Sequence, residues 1–93
     1  MIIVSNTSPI INLAAIGRLS LLQSLYQNII IPEAVYHEIV VKGSGQAGAD
    51  EVPNCDWIDK QALKNPALAQ ALLAELDEGE AAAIALAVEE EID

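Results

Sequence analysis

Phenylalanine is absent from this chain, and the other aromatics amount to Trp57, Tyr26 and Tyr36. Binding single-stranded nucleic acid by base stacking needs aromatic platforms, so that mode has little material here. Positive charge is also scarce: Arg18, Lys42, Lys60 and Lys64 stand against 14 acidic residues, for a net charge of -10. General attraction to a phosphate backbone comes from Lys and Arg displacing counterions. Any nucleic-acid contact therefore requires metal ions, a basic partner or further sequence. The lone Cys55 excludes an internal disulfide, and no Cys/His cluster exists to make a zinc site. No segment reaches the roughly 18 consecutive apolar residues of a membrane span, and the first residues lack a basic stretch of the secretory kind. Neither insertion nor secretion is indicated, and a reducing cytoplasm is the simplest setting.

What the chain does have is aliphatic bulk. Hydrophobic residues make up 53% of its 93 positions, mostly Ala, Leu, Ile and Val. That length allows one domain, which buries only about 60 to 65% of its unfolded surface. The composition suits an α/β fold.

Met1 to Val4 is an apolar run of strand length. It leads straight into Ser5, Asn6, Thr7 and Ser8, which are N-cap types, and into Pro9, which fits a first helical position. A short helix is expected over Ile10–Ile16, stopped by Gly17, and a second over Leu19–Tyr26 with Leu21, Leu22, Leu25 and Tyr26 as its apolar positions. Asn28–Ile31 reads as a second strand, and Pro32 opens a helix over Glu33–Lys42 with Ala34, Val35, Ile39 and Val41 as its stripe. Strands flanking helical segments predict a right-handed parallel βαβ unit. Gly43–Asp56 is a loop, and Trp57–Asp59 a short strand or edge segment. Asn65-Pro66 starts a helix over Ala67–Leu76. Asp77 and Glu80 have capping-box spacing ahead of a last helix over Ala81–Val88, with Glu89 to Asp93 following it.

The first strand delivers Asn6, Thr7 and Ser8 to the carboxyl end of a sheet, where open α/β sheets bind ligands. Each candidate also has a structural role to play. Local sequence favours Asn6 as a helix cap, Glu38 as the solvated flank of an apolar stripe and Glu80 as the third residue of a capping box. Eight of the acids fall between Glu75 and Asp93 with no base among them, and most of these form a solvated face. His37 has no Ser or Cys nucleophile pattern beside it, and Cys55 has no partner to depress its pKa. What raises Asn6, Glu38 and Glu80 above these roles is their distribution. Oxygen ligands gathered from separate elements are what Mg²⁺ and Mn²⁺ require.

The segments Ser5–Leu13, Ile16–Leu22, Ile31–Ile39 and Leu76–Ala87, in that order, resemble the PIN domain family across nearly the whole chain. The resemblance implies a Rossmann-like three-layer α/β/α sandwich with a parallel sheet. It also implies an acidic cluster that holds Mg²⁺ or Mn²⁺ for hydrolysis of RNA, often in the toxin of a toxin–antitoxin pair. Asn6 falls on the family's first aspartate, Thr7 and Ser8 on the hydroxyls after it, Glu38 on the second acid and Glu80 on the third. These residues are the expected catalytic and metal-binding set, with Thr7 and Ser8 supporting. Two departures stand out. Asn6 removes one negative charge, which predicts steeply reduced activity. The family also continues past the Glu80 helix with a further strand and acid, so the single domain over 1–93 is expected to be incomplete at its C-terminus. The rival expectation is a non-catalytic interaction protein that binds an antitoxin or pairs with itself as a homo-oligomer.

Overall fold

The computed structural model describes residues 3–92; the first two residues of the expected opening strand, and Asp93, lie outside the described residues. Residues 3–5 run parallel to the next strand. Val4 bridges Ile30, the Ile30 N–H donates to the Ile3 carbonyl at 2.9 Å, and the Ser5 N–H donates to the Ile30 carbonyl at 3.0 Å. A ladder of this kind engages alternate residues of a strand, so the N–H and C=O of Val4 point away from that neighbour.

Helix α1 (Thr7–Ala15) follows at once. Extended Asn6 caps it, its Oδ1 accepting from the Thr7 N–H at 2.6 Å. The helix thus begins three residues before the expected Ile10, and Pro9 falls at its third position. Any place in the first turn suits proline, because the N–H it lacks has no intrahelical partner there. Gly17, at φ 71, ends the turn.

In α2 (Ser20–Tyr26) the expected apolar positions are corrected. Leu19 and Leu22 are buried, whereas Leu21, Leu25 and Tyr26 are 45, 71 and 47% exposed. A two-turn helix at the rim of a small domain has only one side to bury, and the Leu19/Leu22 spacing takes it.

Strand β1 (Ile29–Pro32) is the centre of the core, with Ile29 and Ile31 buried and Ile30 half-buried. An apolar run of this kind marks a strand covered on both faces. The single helix expected over Glu33–Lys42 is in fact two. One α-turn, α3 (Glu33–Tyr36), passes into a π-helix over His37–Lys42, whose bonds span i to i+5. Val35 and Ile39 are buried as the stripe requires, but Val41 is 55% exposed, because a residue two positions after Ile39 falls on the opposite face of a helix. Gly43 closes this segment, where a Cβ would lie 2.6 Å from the Ile39 carbonyl oxygen.

The loop after it is a series of turns with a 3-10 helix over Val52–Asn54, held down by buried Ala49 and Val52. Strand β2 (Ile58–Gln61) then pairs parallel to β1, from Ile29 opposite Ile58 to Pro32 opposite Gln61. The Lys60 ammonium sits 4.4 Å over the Tyr36 ring and ties β2 to the end of α3.

Helix α4 (Ala67–Leu72) stops four residues short of the expected Leu76. Helix α5 (Glu78–Ile92) is longer at both ends than the expected Ala81–Val88, since no Gly or Pro follows Val88 to stop it. It packs on β1, α3 and α4. Its buried alanines, Ala81, Ala82, Ala83 and Ala85, allow close approach. The molecule is thus an α/β fold with a parallel sheet, as expected from the sequence.

Glu89, one of the eight acids between Glu75 and Asp93, has partners of its own. Its carboxylate accepts from the N–H groups of Lys64 at 2.8 Å and Asn65 at 3.0 Å, while Asn65 Oδ1 accepts from the Ala67 N–H at 3.0 Å. Glu89→Ala is expected to cost about 1 kcal/mol, below the usual range for hydrogen bonds to a charged group because the site is exposed. Thermal unfolding followed by circular dichroism would register this as a drop of about 4 to 8 °C. An unchanged midpoint would show that these bonds contribute nothing.

Candidate metal centre

Asn6 ends the first extended segment, Glu38 lies in the π-helix after β1, and Glu80 is in the first turn of α5. Three separate elements thus carry them toward the carboxyl end of the sheet. Asn6 and Glu80 are the polar residues lining an open groove of about 270 Å³. Its walls are Val4, Leu76, Ala83, Ile84 and Ala87. Val4 itself lines the groove, and its backbone N–H and C=O have no hydrogen-bond partner among the described residues.

Glu80 also has the capping role expected of it. Its N–H donates to Asp77 Oδ1 at 2.8 Å, and Glu80 Oε1 accepts from the Asp77 N–H at 3.4 Å. The long second bond leaves much of the carboxylate's acceptor capacity unused.

Glu38 approaches the same first turn at Gly79. Its Oε2 lies 2.9 Å from where a Cβ on Gly79 would be, and Thr7 Oγ1 lies 3.4 Å from that point. Thr7 is buried, and its Oγ1 has no hydrogen-bond partner among the described residues. Ser8, the other expected hydroxyl, is exposed on α1 and does not line the groove. The π-helical geometry around Glu38 belongs to a class of distortion found frequently at functional sites.

Among the described residues no three His, Cys, Asp or Glu side chains come together as a metal-holding group. Asn6, standing where a carboxylate was expected, contributes a neutral amide oxygen. The donor chemistry still suits a hard cation: the metal-ligating atoms of the three side chains are oxygens, and the Thr7 hydroxyl is a fourth oxygen without a partner among the described residues.

A family profile described as a PIN domain matches residues 2–93. The chain belongs to the PIN domain family. Neither a search of curated proteins nor one of solved structures found a match. PIN domains are usually nucleases and generally use divalent metal ions. This PIN domain carries no helix, among its described residues, that is long and apolar enough to cross a membrane.

Two other reactive side chains stay outside the site. Burial, followed by the negative charges of Asp56 and Glu51, pushes the Cys55 thiol above its ordinary pKa, and the thiolate is the nucleophilic form. His37 is exposed at the start of the π-helix.

Sequence reasoning missed the approach of Glu38 to Gly79. A signal was present, since a glycine inside a helix is tolerated at a cost and often has a packing reason. Asp77, read as a cap alone, keeps that role, with Oδ1 3.7 Å from the Gly79 Cβ position.

Proposed function

We propose that this chain is a PIN-type, metal-dependent ribonuclease domain of low intrinsic activity, of the toxin type that pairs with an antitoxin protein in the cytoplasm. One observation carries the reading. The start of α5 has candidate donors from separate elements near it: Asn6 and Glu80 line one groove, and Glu38 Oε2 lies 2.9 Å from where a Cβ on Gly79 would be.

Asn6, Glu38 and Glu80 would hold Mg²⁺ or Mn²⁺, with Thr7 supporting. A divalent ion bound there supplies a Lewis acid for the phosphodiester and activates water for its hydrolysis. The protein's own contribution is to set the two carboxylates and the amide on rigid elements. Ile39 is buried and holds the π-helix down beside Glu38, and the capping box fixes the start of α5 beneath Glu80. A chain of charge -10 repels RNA in bulk, so productive contact would be confined to where cations offset that charge.

The test is cleavage of single-stranded RNA with Mn²⁺. Activity is expected to disappear in EDTA and to fall by about two orders of magnitude in Glu80→Gln, a loss of the size usual for one electrostatic group at a reacting centre. Cleavage indifferent to EDTA would overturn the reading.

A second reading has its own support. The outward backbone groups of Val4 stand beside a groove walled by exposed Ile84, and an unpaired strand edge is a template for another chain. On that reading the protein is a non-catalytic interaction module that binds an antitoxin or a second copy of itself. Sedimentation as a monomer at micromolar concentration would count against self-pairing.

A further inference from the structure

Gly79 is the second residue of α5, and its backbone is not in the left-handed region. Nothing in its conformation asks for glycine, and glycine within a helix is less stable there than alanine. Its surroundings are another matter. A Cβ at this position would lie 2.9 Å from Glu38 Oε2, 3.4 Å from Thr7 Oγ1 and 3.7 Å from Asp77 Oδ1. The nearest atom is the far end of a flexible side chain. An alanine would therefore leave the helix in place and push the Glu38 carboxylate away from it. The buried Thr7 hydroxyl lies 3.4 Å from the same point, so part of the space beside it is already filled.

We propose that Gly79 is a positioning residue. The side chain it lacks leaves the slot in which the Glu38 carboxylate sits against the first turn of α5, one residue from Glu80. The inference rests on the cation-binding reading above for its purpose, but the slot itself can be tested without any cation.

The first measurement is a melting cycle in EDTA on the parent protein, Gly79→Ala, Glu38→Ala and the double variant. With Glu38 cut back, Gly79→Ala is expected to raise the midpoint by about 4 °C, as helix propensity dictates. With Glu38 present the gain is expected to vanish or reverse. Two groups in contact give such non-additivity, and independent ones do not, so an additive cycle would overturn the proposal. The second measurement is Mn²⁺ titration by calorimetry in the Asn6→Asp background. Adding Gly79→Ala is expected to weaken binding about tenfold, in the range seen when the support of a metal ligand is lost, with no loss of fold. Unchanged affinity would overturn the positioning role. A parent that binds no Mn²⁺ would instead sink the cation reading, while the melting cycle still decides whether Glu38 occupies the slot.

Discussion

Asn6→Asp is expected to raise the affinity of the groove for Mn²⁺ by about 30-fold. The change adds one negative charge beside a dication. Two unit charges 4 Å apart interact by about 1 kcal/mol even at the dielectric of water, so a dication gains about 2 kcal/mol, and each 1.4 kcal/mol is a factor of ten. The true gain is larger if the site excludes water. Folding should be unaffected: Asp caps a helix as well as Asn does, and a negative charge suits the N-terminus of α1. Isothermal calorimetry with and without the substitution decides the matter. Equal affinities would mean that residue 6 takes no part in holding a cation, leaving Asn6 a cap and nothing more. A rise in affinity accompanied by RNA cleavage would identify the amide as the cause of low activity.

Ile31→Ala is expected to destabilise the domain by about 3 to 4 kcal/mol, within the range for large-to-small changes in a packed core. Ile31 is 0% exposed in the central strand, with Val35 and Ile39 in the same buried cluster. A domain of this size holds only about 5 to 15 kcal/mol in total, so the midpoint should fall by about 15 to 30 °C. Leu25→Ala is the control. At 71% exposed it should change stability by no more than about 0.5 kcal/mol. Urea unfolding of the pair would show the contrast, and a loss below 1 kcal/mol for Ile31→Ala would contradict its place at the centre of the core.

That contrast also shows what was legible in the sequence. The Ile29–Ile31 run announced a buried strand because β-branched residues bounded by Asn28 and Pro32 admit few other readings. The Asp77/Glu80 spacing announced a helix start because capping chemistry is local. Leu25 misled because helical periodicity identifies a stripe without saying whether anything covers it. The π-helix after Tyr36 was not legible, since no residue type specifies an i to i+5 bond. The bonds of Glu89 were not legible for a similar reason: its partners, the N–H groups of Lys64 and Asn65, lie 25 and 24 residues away, beyond any local pattern. Of the site, the elements carrying Asn6, Glu38 and Glu80 could be read from the order of the segments. The slot at Gly79 could not, because it exists only once the π-helix and α5 meet.

Asn6 Oδ1 already accepts the first N–H of α1, and Glu80 Oε1 that of Asp77 just ahead of α5. Each of those oxygens keeps a second lone pair, and Glu80 Oε2 takes no part in the capping box. The two helix starts therefore hold Asn6 and Glu80 in place through one lone pair each, so the bonds that wind α1 and α5 are also the ones that aim the groove's two polar side chains.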